Sequence, residues 1–201
     1  IGNVNENKDN TPLLDWEPVT LESDGSPEYS LPIVYEVQIA TDPGFSNIVY
    51  AENLYDDNLI IPEENALPDG LYYWRVRGRD NAGNAGAWST ASFRVDTVPP
   101  EIPTRIYPIG DEWAPREPIM RWYSVDENSE PVVYVVEISE YIDFATIQES
   151  YSGTDNFYQP TTLFERRWYW RIKAIDNAGN ASPWSTAESF RVDDTAPSTP
   201  E

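Results

Sequence analysis

Apolar and polar residues alternate along short stretches of this chain, and wherever the pattern is clear its period is two. Tyr35-x-Val37-x-Ile39 and Tyr134-x-Val136-x-Ile138 each place one side of an extended strand in a core and the other in water. The strongest stretch turns Tyr72, Trp74, Val76 and Gly78 inward and Tyr73, Arg75, Arg77 and Arg79 outward. Trp168, Trp170, Ile172 and Ala174 repeat the inward set. Phe93-x-Val95 and Phe190-x-Val192 read as closing strands, while Trp16 and Trp122 sit on early strands, two residues after Leu14 and Met120. The phase therefore predicts that Trp16, Trp74, Trp122 and Trp170 are buried. No window carries a helical stripe between its breakers, and turns of Pro, Gly, Asn and Asp separate the strands.

The pattern occurs twice. Residues 71–100 and 167–197 pair Trp74 with Trp170, Asp80 with Asp176, Gly83 with Gly179 and Trp88 with Trp184 at a constant offset, after which one inserted residue brings Phe93 to Phe190 and Asp96 to Asp193. Upstream, PLLDW at 12–16 answers PIMRW at 118–122, and YEVQIATDPGF at 35–45 answers YVVEISEYIDF at 134–144. Two units, 1–97 and 98–201, each of about 100 residues with many short strands, describe two tandem antiparallel β-sandwiches in an all-β chain. Between them, Asp96-Thr97-Val98-Pro99-Pro100-Glu101-Ile102-Pro103 is proline-rich, which favours an extended, semi-rigid joint. Aligning Ile1-Gly2 with Ile109-Gly110 leaves the first unit without a counterpart of 98–108, the segment whose Ile102, Arg105, Ile106 and Tyr107 read as a first strand. That strand is expected to come from a neighbouring module or another copy of the chain. The tail from Asp193 matches the linker, which gives the expectation of a repeat window within a longer array.

Composition narrows the chemistry. Thirteen Lys and Arg against 35 Asp and Glu give a net charge of −22, which repels nucleic-acid phosphates and anionic lipid surfaces alike. With no Cys and no His, the chain cannot build a thiolate nucleophile, a Ser-His-Asp triad, a Cys/His zinc site or the usual haem ligation. Glu127, Glu130, Glu137 and Glu140 have no matching set in the first unit and read as a solvated face, so the chain is not read as an enzyme. Eight Trp, 13 Tyr and 6 Phe supply the large side chains that disordered segments lack. No stretch approaches the roughly 18 apolar residues of a membrane helix, so no direct membrane insertion is expected. An acid-rich surface with only Lys8 and Lys173 as lysines suits salt-rich or calcium-containing surroundings outside a cell.

The string Asp80-Asn81-Ala82-Gly83-Asn84, repeated as Asp176-Asn177-Ala178-Gly179-Asn180, has the oxygen-rich spacing of a partial calcium loop. It also describes a hairpin loop in which Asp accepts backbone N–H bonds and Gly takes a positive φ, and that reading is the stronger. Asn180-Ala181-Ser182 fits an N-glycosylation acceptor. Outward Arg75, Arg77 and Arg79, with Trp88 beyond the hairpin, suit a ladder of cations on an indole, as do Arg171, Lys173 and Trp184. The alternative is a sugar-binding platform of Trp88, Trp184, Tyr73 and Tyr169.

These residues resemble a known family, the tandem fibronectin type III-like, immunoglobulin-superfamily modules of bacterial and archaeal secreted and surface proteins. The resemblance rests on the early Trp16 and Trp122, the Tyr-x-Val-x-Ile strand, the DPGF turn at 42–45 with Phe144 matching Phe45, Leu67 with Leu163, and DNAGN followed by Trp-Ser. It implies an extracellular spacer or adhesion module that builds a surface layer, fibre or multidomain secreted protein, and no particular ligand. The second unit departs from the family by carrying Trp168 where a corner Tyr is usual, which counts against that hydrogen-bonded corner there. No cofactor is implied; calcium at Asp96 with Asp126 and Glu127 is the metal site that stays open. Partners are expected to be neighbouring modules, other copies of the chain, a glycan or a surface protein.

Overall fold

The computed structural model describes residues 6–20, 31–125, 130–161, 163–193 and 195. The chain separates into two compact units, Ile1–Thr97 and Val98–Glu201.

In the first unit the strands are β1 (Glu6–Asn7), β2 (Leu13–Asp15), β3 (Val34–Ala40), β4 (Ile48–Leu54), β5 (Asn58–Ile60), β6 (Gly70–Arg79) and β7 (Ser89–Val95). They form one sheet in the order β1-β7-β6-β3-β4 and a second, two-stranded sheet of β2 and β5. Period-two phasing carries over into the register: β3 and β6 pair antiparallel with Val37 opposite Val76 and Ile39 opposite Trp74, so the inward residues of both strands share one face. That face meets Leu14 of the smaller sheet and Trp16 just after it in a core that also holds Tyr35, Leu67, Tyr72, Phe93 and Val95.

The second unit contains β8 (Arg105–Tyr107), β9 (Glu112–Ala114), β10 (Met120–Trp122), β11 (Val133–Ser139), β12 (Glu149–Gly153), β13 (Phe157–Tyr158), β14 (Arg167–Ile175) and β15 (Glu188–Val192). Its large sheet runs β12-β11-β14-β15-β9, and its small sheet has three strands, β13-β10-β8. The third strand is a difference between the units: β8 lies along β10, whereas β2, the repeat counterpart of β10, pairs only with β5 among the described residues. Pairing is antiparallel throughout except at one edge of each unit, where β1 runs parallel to β7 and β9 parallel to β15. The alternation of side chains does not report strand direction, so this parallel edge was invisible in the sequence.

Trp16, Trp74, Trp122 and Trp170 all lie in the cores, at 8%, 1%, 0% and 0% exposure. Trp168 joins them, fully buried, in the second unit. The corner bond that its presence put in question is there in another form. Tyr72 Oη donates to the Pro68 carbonyl four residues upstream at 2.7 Å, and the indole Nε1 of Trp168 donates to the Phe164 carbonyl, also four residues upstream, at 2.9 Å. Either side chain supplies a large ring with one donor at its rim, which is what this buried corner requires. A second corner repeats without change: the Val19 N–H donates to Tyr35 Oη at 2.8 Å and the Val125 N–H to Tyr134 Oη at 3.0 Å.

Candidate functional site: an aromatic and cationic ladder on the outer face

The outward side chains of β6 and β14 include arginines and a lysine, and Arg75, Arg77 and Arg171 each stand opposite a polar residue of the neighbouring strand. Gln38 faces Arg75 and Glu36 faces Arg77 across β3 and β6, and Glu137 faces Arg171 across β11 and β14. Arg75 donates to Gln38 Oε1 from Nε at 2.8 Å and from Nη2 at 2.6 Å. Arg171 donates in the same way to Glu137 Oε2, at 2.8 and 2.6 Å. Such two-point contacts fix the plane of a guanidinium, which is the orientation that stacking needs.

The planes are then covered by rings. Arg75 lies 4.2 Å over Phe45 and 4.3 Å over Trp88, and Arg77 lies 4.4 Å over Trp88. In the second unit Arg171 lies 4.2 Å over Phe144 and 4.3 Å over Trp184, with Lys173 4.8 Å over Trp184. Phe45 and Phe144 reach these positions because their backbones take positive φ, 55° and 54°. In the first unit Asp42 holds that turn by accepting the N–H groups of Gly44, Ser46 and Asn47 at 2.7–3.2 Å. The same bonds, that from Asn47 foremost, keep the Asp42 carboxyl below its ordinary range. At the far end of the first ladder Glu36 clamps both Arg77 and Arg79. Burial pushes the Glu36 carboxyl up, but the hydrogen bonds from Arg79 and Arg77 outweigh it and leave its pKa lowered. Val135 occupies the counterpart of Glu36, so the second ladder lacks this clamp.

The residues considered for a sugar platform are thus half-buried within the molecule. Trp88 and Trp184 are stacked on cations of their own units, and Tyr73 and Tyr169 lie on the same faces, also half-buried. Sequence reasoning missed Phe45, Gln38 and Glu137 as members of the ladder. The DPGF turn was the available signal for Phe45, since Gly before Phe marks a turn, but not which way its ring points. A more exposed indole was also missed: Trp113 on β9, 63% exposed, with the Arg191 guanidinium 5.5 Å from its ring. Asp111 accepts hydrogen bonds from Arg191 and Arg167 there, which lowers its pKa, the Arg191 bond being the larger cause.

The two DNAGN strings form hairpin loops whose Asp oxygens are taken up internally. Asp80 Oδ1 accepts the Asn84 N–H at 2.7 Å and Oδ2 accepts Asn84 Nδ2 at 2.8 Å, with Gly83 at φ 93°. Asp176 and Asn180 repeat this at 2.8 and 2.9 Å, with Gly179 at φ 90°, in a buried setting. The Asn180 amide of the glycosylation string is therefore spent inside the loop rather than presented to solvent. Among the described residues no group of three or more Asp and Glu side chains is arranged to hold a metal ion. Asp96 is buried at the end of the first unit; Asp126 and Glu127 lie outside the described residues. No helix among the described residues is long and apolar enough to cross a membrane.

The same sandwich occurs among solved structures. The FN1–FN3 domains of chicken CNTN1 superpose with a TM-score of 0.54 at 18% identity, covering 94% of this chain. The fold is that of fibronectin type III modules. This chain spans 65% of the length of that CNTN1 structure. The fibronectin(III)-like modules of Clostridium thermocellum CbhA match with a TM-score of 0.48 at 12% identity, over 95% of this chain and 89% of theirs. No family model and no curated protein matches the sequence.

Proposed function

We propose that this pair of fibronectin type III-like units is a non-enzymatic, extracellular structural module, a spacer or building block of a surface layer, fibre or multidomain secreted protein. One observation carries the reading. In both units the outer-face indole, Trp88 or Trp184, is stacked on cations held by the same sheet, so its face stiffens the module rather than stands ready for a ligand. The acidic, lysine-poor composition supports an extracellular setting, and the absence of His and Cys supports a non-catalytic role.

Recognition of a glycan or a surface protein is the second reading, and exposed Trp113 is the observation that favours it. A glycan array probed with the chain and with its Trp88→Ala, Trp184→Ala and Trp113→Ala variants separates the two. The spacer reading predicts no reproducible glycan binding, while Trp88→Ala lowers the stability of the first unit by about 1 to 2 kcal/mol, two cation stacks at 0.5–1 each. Reproducible binding that disappears in any of these variants would establish recognition instead.

A further inference from the structure

The small sheets of the two units carry matching outer faces of opposite charge. Along residues 13–17 the alternation buries Leu14 and Trp16 and leaves Leu13, Asp15 and Glu17 exposed, and β5 sets Ile60 opposite Leu13 and Asn58 opposite Asp15. Along residues 119–123 it buries Met120 and Trp122 and leaves Ile119, Arg121 and Tyr123 exposed, with Phe157 of β13 opposite Arg121. On β8 Tyr107 packs against the core and Arg105 reaches the ring of Trp170, so exposed Ile106 between them faces out on the same side. From one repeat to the other the apolar position is kept, Leu13 for Ile119, while the charge beside it inverts, Asp15 for Arg121.

Arg121 is also set apart by its lack of partners. In the second unit Arg105, Arg116, Arg166, Arg167, Arg171 and Arg191 each have a carboxylate within 4.0 Å. Arg121 has no ion pair, hydrogen bond or ring stack among the described residues. At a net charge of −22 an exposed carboxylate without a partner is ordinary, but an exposed guanidinium without one is not. A shallow cleft of about 180 Å³ opens beside it, lined by Ile106, Arg121, Trp122, Asn156 and Phe157. Aromatic rings around an Arg are the residues that distinguish interface cores from ordinary surface.

We propose that the Arg121 face of the second unit docks on the Asp15 face of the first unit in a second copy of this chain. Arg121 meets Asp15 and Glu17, and the apolar pair Leu13 and Ile60 covers Phe157 and Ile119. The partner is a copy rather than another acidic protein because the chain itself carries the complement, at the same register of the same small sheet, with apolar residues flanking the charge on both sides. Each copy keeps one face of each sign, so the contact is heterologous, and association closes into a ring or continues as a filament. Faces of two or three short strands make a small interface, below the roughly 1,200 Å² of stable complexes, so association needs high concentration. The proposal rests on the building-block reading; a chain without this contact still qualifies as a spacer, so the two fail separately.

Sedimentation velocity of the full chain from about 10 μM to about 1 mM tests the contact, in roughly 0.15 M salt, where repulsion between the acidic copies is screened beyond about 8 Å. Expected is a weight-average mass that rises with concentration, and association weakened at least about tenfold by Arg121→Asp and by Asp15→Arg. Both side chains are exposed, so each variant should keep the melting temperature of the unmodified chain. Mixing the two variants, or combining both changes in one chain, restores opposite charges across the contact and should recover association. A chain that stays monomeric throughout would leave Arg121 to a carboxylate of a different protein and overturn the proposal. So would association that survives Asp15→Arg, which would place the second-unit face against its own copy, or single variants whose mixture does not recover.

Discussion

Trp170→Ala lowers the stability of the second unit by about 3 to 5 kcal/mol, the range for deleting a large aromatic from a packed core. The side chain is fully buried, and the cavity its removal leaves is walled by neighbours held in a continuous sheet, so collapse around it is limited. The first unit provides an internal control. Trp74→Ala deletes the same ring from the same register position and should cost a similar amount. Conservative replacement by Phe separates the two sites. Trp170→Phe also strands the buried Pro108 carbonyl and should cost about 1 kcal/mol more than Trp74→Phe, whose lost N–H has no partner among the described residues. Urea denaturation of each variant measures both differences; a cost below about 1 kcal/mol for Trp170→Ala would show that the ring is not a core element.

Asp176→Ala is the second large effect, about 2 to 4 kcal/mol. The carboxylate is 4% exposed and accepts both the backbone N–H and the side-chain amide of Asn180, itself buried, so truncation removes two buried hydrogen bonds to a charged group at about 1 to 2 kcal/mol each. Asp80→Ala removes the same two bonds from a loop where Asn84 is exposed, and water replaces the lost acceptor, so about 1 kcal/mol is expected there. Thermal melts of the two variants compare them directly. Equal losses would mean that burial does not set the worth of this loop.

The sandwich was legible because its strands advertise a period of two and because duplication let one unit confirm the phase of the other. Trp16, Trp74, Trp122 and Trp170 needed nothing beyond that phase. The corner at Trp168 was misjudged because the family pattern names a residue, Tyr, where the physical requirement is a ring with a donor at its rim. The ladder was half legible. Alternating Arg75 and Arg77 with Trp88 one hairpin away gave the stacking partners, but cross-strand register decides which acceptors hold the guanidinium planes, and register is not written in either strand alone. Phe45 depends on a positive φ, and Trp113 on an edge strand too short to show alternation. The pairing of β8 with β10 and the bond from the Trp170 indole to the Pro108 carbonyl required the fold.

The most direct measurement of the spacer reading is single-molecule extension of the chain held between folded handle domains. A structural module of two sandwiches should resist force and yield in two separate events, one for each compact unit, 1–97 and 98–201. Each event should release about 30 nm of contour length, the reach of roughly 100 extended residues less the folded span. Extension without force peaks, or a single event releasing both units together, would contradict it.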